Sequence, residues 1–303
     1  MKQRGYKDGP FKRVRGNLDA YAFIAPFFII FFTFTAAPVL ISIWYSFTYY
    51  NILQPAQFIG WQNYQNLFLG DDVFLTAVKN TLVIAVITGP VGYLASLMFA
   101  WFINELSPKI RAILIVCFYA PTISGNVYMI WTIMFSSDSH GYINGALINT
   151  GLIKHAVEWL INPEYMMPIA ILVVLWMSLG TGFLAFVAGL QTIDKSMYEA
   201  GYVEGVRNRW QELWFITLPS MKPQLLFGAV MSITSAFSVA DVTVALFGFP
   251  STDYAVHTIG NHMNDYGGIR FDMGYASTIA TILFLLMIGT NQLVQRVLSK
   301  VGQ

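Results

Sequence analysis

The sequence predicts an all-α membrane protein with six transmembrane helices, and three observations carry the prediction. Six apolar stretches, over residues 21–47, 78–103, 112–135, 167–190, 224–248 and 274–294, are each long enough to cross a bilayer core, which takes about 20 residues of helix. Only 11% of the 303 residues are charged, against 56% hydrophobic; soluble domains average about 25% charged. So few charges would not solvate a folded surface in water. The lysines and arginines are also distributed one-sidedly between alternate loops.

Residues 1–17 form a basic tail with Lys2, Arg4, Lys7, Lys12, Arg13 and Arg15, and residues 18–303 a single transmembrane domain. The first apolar stretch is much longer than the roughly 7–15 residues of a signal-peptide core. Its small pair Ala36-Ala37 is followed by Pro38, a poor cleavage context, so it reads as a retained helix. With the tail on the cytoplasmic side, the even-numbered loops and the C-terminus are cytoplasmic too. They add Lys109, Arg111, Lys195, Arg207, Arg209, Lys222, Arg296 and Lys300, so 14 basic residues lie inside and only Lys79, Lys154 and Arg270 outside. This is the positive-inside pattern, and it places both termini in the cytoplasm. Topology, rather than nucleic-acid binding, accounts for the basic tail, and the net charge of +1 gives no general affinity for polyanions. Trp44, Tyr45, Tyr49 and Tyr50 fit the outer interface of the first span. In the third span, Pro121 predicts a kink. The single cysteine, Cys117, lies in that apolar run and forms neither an intrachain disulfide nor a thiolate metal site.

Loop 191–222 is charged, yet Met197, Tyr198, Val203, Val206, Trp210, Leu213 and Trp214 recur through it at spacings of three and four. That predicts short amphipathic helices at the cytoplasmic face, interrupted at Gly201 and Gly205. Pro219 is expected to end the pattern, and Pro223 to open the fifth span as a first-turn proline. The apolar side of this helix–turn–helix packs on the protein's own bundle, on lipid or on a partner.

The stretch Glu199-Ala200-Gly201, three residues, Gly205, and then Ile216-Thr217-Leu218-Pro219 resembles the EAA signature of bacterial ABC importer permeases. Other parts resemble the carbohydrate branch of that family: Pro26, Pro38 and Ser46-Phe47; Phe58-Ile59-Gly60-Trp61-Gln62-Asn63-Tyr64; Asn80-Thr81-Leu82; and Gly141-Tyr142-Ile143-Asn144. The resemblance covers nearly the whole chain. Three departures stand out. Gly201 replaces an alanine, Glu204 replaces the usual aspartate, and ten residues rather than nine separate Gly205 from Ile216. One extra residue in a continuous helix would turn the residues after it by about 100°.

The resemblance implies a binding-protein-dependent importer whose motif loop is a coupling helix docked on a separate ATP-binding subunit. Glu199, Ala200, Gly201, Glu204, Gly205, Leu218 and Pro219 would make or shape that contact, with Glu199 supplying charge. It further implies a pair of ATPase subunits that hold ATP and magnesium, a second homologous permease forming a heterodimer, an extracytoplasmic solute-binding protein, and a bacterial cytoplasmic membrane around it all. The substrate it implies is a carbohydrate, with an oligosaccharide foremost. The chain has no phosphate-binding G-x-x-x-x-G-K-[ST], since none of its glycines precedes a lysine, and no HExxH. No catalytic constellation, bound cofactor or metal site is expected within it. His257 and His262, five apart in an outer loop, are the wrong spacing for a helical zinc pair and read as loop histidines.

Intramembrane charge points to a path. Asp241 in the fifth span costs roughly 2.5–3.5 kcal/mol at a helix centre, so it should face a cavity or a partner. Thr234, Ser238 and Asp241 share one stripe of a regular helix, and Thr122 and Asn126 share a face one turn apart in the third span. Hydroxyls, an amide and a carboxylate suit sugar hydroxyls, and Tyr128 and Trp131 suit sugar faces. Interhelical hydrogen bonding uses the same residue types and is the competing reading. The alternative function is a secondary transporter driven by an ion gradient, for which several intramembrane charges, inverted repeats and broken helices are typical. Only Asp241 lies clearly within a span, and no repeat stands out.

Overall fold

The computed structural model describes residues 18–125 and 127–298; the basic tail 1–17, Asn126 and Lys300 lie outside the described residues. The first span is built from α1 (Leu18–Phe31), a π-turn (Phe32–Ala36) and α2 (Ala37–Tyr45). The π-turn ends two residues before Pro38. A proline has no N–H and crowds the carbonyl four residues back, and the wider turn relieves both faults. A two-residue ribbon, β1 (Thr48–Tyr49) antiparallel to β2 (Gln57–Phe58), and α3 (Gln62–Leu69) lead to the second span. That span is α4 (Asp72–Asn104), 33 residues long, and Asp71 caps it by accepting a hydrogen bond from the Phe74 N–H.

Three spans are interrupted. The third divides into α5 (Pro108–Ile123) and α6 (Met129–Met134), so the six expected crossings appear as five long apolar helices and one broken segment among the described residues. The kink expected at Pro121 lies a few residues further on, where Ser124 turns extended. After α7 (Tyr142–Asn149), the fourth span is α8 (Pro163–Trp176) and α9 (Thr181–Thr192). The loop after it holds α10 (Lys195–Val203), α11 (Arg209–Glu212), a π-turn (Leu213–Thr217) and α12 (Leu218–Ser220). The fifth span is α13 (Lys222–Phe237) and α14 (Ala240–Phe247), with Pro223 in the first turn as expected. Then come α15 (Ile259–Asn264), a π-turn (Asp265–Ile269) and the sixth span, α16 (Met273–Leu298).

α4 is central, with α8, α9 and α13 packed around it and α16 against α13. Small residues set the closest approaches. Gly182 on α9 faces Gly228 on α13, and Gly228 lies under the ring of Phe186. One core cluster joins Trp101, Phe183, Phe186, Leu213 and Leu225 at the end bearing loop 191–222; another joins Leu67, Phe74, Ile259, Tyr275 and Ile279 at the opposite end. Residues 21–45 of the first span and α5 contribute no fully buried side chain to this core. Many of their apolar side chains are exposed, suited to lipid or to a second subunit, while Leu114, Ile115 and Phe118 of α5 pack half-buried on the core and α2 packs on α16.

Candidate functional site

The three interruptions come together. A cavity of about 250 Å3 is lined by Thr122 at the end of α5, by Met177, Ser178 and Gly180 between α8 and α9, and by Ser238 and Val239 between α13 and α14. Thr88 and Gly92 of α4, Thr181 of α9, and Ser232 and Ser235 of α13 add to the wall, together with the apolar Val174, Met231, Ala236 and Val242. Non-helical backbone at membrane depth is tolerated only inside protein or beside a cavity, and the breaks obey that rule. Their freed carbonyls find donors: the Thr122 hydroxyl donates to the Leu179 carbonyl at 3.2 Å, and the Ser96 hydroxyl to the Ser178 carbonyl at 3.3 Å. A Cβ on Gly92 would stand 2.8 Å from the Ser178 Cβ, so only glycine lets α4 press against this break.

Of the expected path residues, Thr122 and Ser238 line the cavity. Thr234 is exposed, with its hydroxyl donating back to the Val230 carbonyl at 2.9 Å. Asp241 is exposed in the first turn of α14, where free N–H groups favour negative charge. The single stripe expected for Thr234, Ser238 and Asp241 is corrected: the helix is interrupted at Ser238–Val239, so regular spacing does not relate the three. All three are exposed, between the buried Ile233, Ala236, Phe237 and Val242, and Ser238 shares the cavity lining with Ala236 and Val242. Trp131 stacks on Phe135 at 5.8 Å and meets the edge of Trp176 at 5.5 Å. It and Tyr128 pack against the cluster around Met166 and Val173, so these aromatics serve the core as well as any open face. Thr88, Ser178, Thr181, Ser232 and Ser235 were not anticipated. The run Ser178-Leu179-Gly180-Thr181-Gly182 inside an apolar stretch was the available signal.

Loop 191–222 folds as two helical arms. Asp194 caps α10 by accepting from the Ser196 N–H at 2.9 Å. Asn208 caps α11 by accepting from the Gln211 N–H, and Gln211 reaches back to the Arg207 N–H. Between them Gly205 has φ +100°, a conformation that only glycine adopts at low cost. Gly201 does not interrupt a helix, contrary to expectation. It lies buried inside α10, where a Cβ would stand 2.5 Å from Ile216 Cδ1. The helical pattern ends at Ser220, one residue after Pro219, and the π-turn Leu213–Thr217 lies just ahead of that proline. The chain from Glu204 to Asn208 is not helical, and α11 runs into the π-turn Leu213–Thr217, so no continuous α-helix spans the ten residues between Gly205 and Ile216.

Half of this unit packs on itself. Glu212, Leu213, Ile216 and Thr217 are buried, Leu218 and Pro219 half-buried, and the Tyr198 and Thr217 hydroxyls share a 3.0 Å hydrogen bond. The other face is open: Glu199, Ala200, Glu204 and Gly205 are exposed, and Val203 is 90% exposed.

At the opposite end, the histidines are not surface residues. His257 and His262 are each 2% exposed. His262 Nε2 lies 3.0 Å from Asp71 Oδ2, and His257 Nε2 lies 3.2 Å from His262 Nδ1. The Tyr275 hydroxyl also donates to Asp71, at 3.0 Å. Burial pushes the Asp71 carboxyl up, but the Phe74 N–H, His262 and Tyr275 outweigh it and hold it below its ordinary value. Burial, aided by His262, lowers His257 to about 4. Burial also lowers His262 against the pull of Asp71. Neutral tautomers result: His262 donates from Nε2 and accepts at Nδ1 from His257. Among the described residues no group of three or more metal-ligating side chains converges.

Residues 89–302 match the family model of the binding-protein-dependent transport system inner membrane component. The chain belongs to that family. This permease is 32% identical to the probable ABC transporter permease protein YesP of Bacillus subtilis over 90% of its own length and 88% of that protein's. It is 26% identical to the arabinooligosaccharides transport system permease protein AraP of Halalkalibacterium halodurans over 88% and 83%. Its fold superposes with a TM-score of 0.73 on a bacterial alginate ABC transporter crystallised with an alginate pentasaccharide-bound periplasmic protein, at 25% identity over 98% of this chain and 100% of that one. The importer resemblance therefore holds along the whole chain, and nothing in these comparisons supports the secondary transporter.

Proposed function

We propose that this permease forms half of the translocation path of an ATP-driven importer for an oligosaccharide. The observation that carries the path in this reading is the convergence of three broken spans on one cavity with several hydroxyls in its wall, and the family match carries the importer class. Ser and Thr hydroxyls there suit a ligand of many hydroxyls, and discontinuous helices at such a cavity are a recurring means of building transport sites. The names of its relatives, which include arabinooligosaccharide and alginate systems, favour the same substrate class. The second half of the path comes from a homologous permease, against which the open faces of the first span and α5 pack, with lipid on the rest. An extracytoplasmic binding protein delivers the sugar. A pair of ATPase subunits, which hold ATP and magnesium, receives the exposed face of α10 through Glu199, Ala200, Glu204 and Gly205; Gly201, Leu218 and Pro219 shape that face from behind. Both termini lie in the cytoplasm in this reading, which the distribution of lysine and arginine supports.

The test is reconstitution of this permease with its co-expressed neighbours in proteoliposomes. ATP-dependent sugar uptake is expected, and Glu199→Lys should leave the protein inserted while abolishing that uptake. Full uptake by the variant would remove the coupling role from α10; uptake independent of ATP would remove the importer reading.

A further inference from the structure

The two arms of loop 191–222 are tied to α4 by a chain of charged and aromatic side chains that the signature motif does not contain. Glu212 is 3% exposed, and both its carboxylate oxygens are used. Oε1 accepts from the Tyr202 hydroxyl of α10 at 2.5 Å, and Oε2 accepts from Arg209 Nη1 at 2.7 Å. The second nitrogen, Nη2, of Arg209 donates to Glu105, the residue that caps the C-terminus of α4. Beside this pair the indole of Trp210 packs 5.2 Å from that of Trp101 on α4.

Arginine is the side chain suited to this position, because its planar fork can hold two carboxylates in fixed directions. Burial pushes the Glu212 carboxyl up, but the Tyr202 and Arg209 bonds outweigh it and keep it ionised. A buried carboxylate held on both oxygens has little freedom to swing, since losing either partner would strand a charge. α4 is one continuous helix from Glu105 past Gly92 to Thr88 in the cavity wall, about 20 Å to Gly92 and about 26 Å to Thr88 at 1.5 Å per residue.

We propose that Tyr202, Glu212, Arg209 and Glu105, with Trp101 and Trp210, are positioning residues that carry the movement of α10 into α4 and so into the cavity wall. This rests on the importer reading, because α10 moves only if an ATPase docks on it. Tyr202 and Arg209 are linked through a buried group, so a push on α10 is shared with α11. The Arg209–Glu105 pair and the two indoles pass it to α4 as a side load, independent of the covalent path through α9 and α13.

The test uses the complete complex in proteoliposomes, in a Cys117→Ser background carrying Thr88→Cys as a reporter in the cavity wall. Two quantities are read: phosphate release, and the ATP-induced change in the rate at which a water-soluble maleimide labels the reporter. Glu105→Gln removes one half-exposed partner and leaves the docking face of α10 intact. ATP hydrolysis is expected to persist while the ATP-induced labelling change falls about twofold to fivefold, the ratio carried by about 0.4–1 kcal/mol in an exposed pair. Glu105→Asp should recover part of it. In a separate variant, Glu105→Cys with Arg209→Cys joined by a short bismaleimide should keep ATP turnover, because the two residues move as one body. A full-sized labelling change in both Glu105→Gln and Arg209→Gln, or loss of turnover on cross-linking, would overturn the proposal. If ATP leaves labelling unchanged in the complex that has only the reporter, the importer reading itself fails, and the latch fails with it.

Discussion

Replacing Gly205 by alanine tests the shape of the coupling loop with almost no steric confusion. Gly205 has φ +100°, and a Cβ built on it meets no atom within 4 Å. The whole cost is therefore backbone strain, about 1–3 kcal/mol for a residue forced into a sparsely populated region. The loop relieves that strain by re-routing residues 204–208, which changes the angle between α10 and α11. At 1.4 kcal/mol per decade, the fraction of loops in the native geometry falls about fivefold to 150-fold. Gly201→Ala is the matched control. Its Cβ would stand 2.5 Å from Ile216 Cδ1, but that atom ends a side chain that can rotate. The helix meanwhile gains about 1 kcal/mol when alanine replaces glycine. Affinity of the purified permease pair for the ATPase subunits, measured by titration in detergent, should drop for Gly205→Ala and stay within about twofold for Gly201→Ala, since the rotamer cost and the propensity gain nearly cancel. Equal affinity for native protein and Gly205→Ala would refute the reasoning, as would a larger loss at Gly201.

Three further outcomes rest on other parts of the structure. Gly228→Ala drives a methyl group into the Phe186 ring, which Tyr93 backs at 5.4 Å; overpacking of about 1–3 kcal/mol should lower the thermal unfolding midpoint in detergent, and an unchanged midpoint would mean the ring has room to move. Asp241→Ala should alter uptake or its substrate preference while the protein stays folded; unchanged uptake with a lowered midpoint would instead make Asp241 a packing residue. The histidine network should make stability depend on pH: the unfolded chain takes up a proton near pH 6.5 that folded His257 refuses until about 4, so stability falls as pH drops across that window and levels off below it. Hydrogen exchange of the α15 amides against pH reads this directly, and His257→Asn should flatten the profile.

The spans were legible because lipid imposes a crude requirement, about 20 apolar residues in a row, and composition alone meets or fails it. Their interruptions were not. A run such as Leu175 to Phe183 stays apolar on average, so Ser178 and Gly180 disappear into a hydropathy window. Proline predicted the third break only approximately, because the helix survives Pro121 and fails at Ser124. The loop was legible where a residue type has one physical meaning, as at Gly205, and misread at Gly201, where a glycine serves close packing inside a helix. Nothing in the sequence pairs Asp71 with His262, 191 residues apart. Such contacts arise from the assembled bundle rather than from spacing.

Broken helices are typical of secondary transporters, yet this permease has three, so that criterion does not separate the two classes. The physical requirement is common to both. A polar solute crossing a bilayer needs donors and acceptors at mid-depth, and an unbroken apolar helix presents almost none, because its backbone groups bond to one another. Interrupting the helix frees backbone groups and brings short hydroxyl side chains to the same level, as Thr122, Ser178 and Ser238 do here. What separates the classes is where the energy enters. Without a G-x-x-x-x-G-K-[ST] of its own, the permease takes no energy from ATP within this chain, and the open face of α10 is the surface through which a separate ATPase would supply it. On the proposed reading the three breaks belong to the path and the loop to the motor, and α4, which touches the cavity at Gly92 and the loop at Glu105, is the element that would relate one to the other.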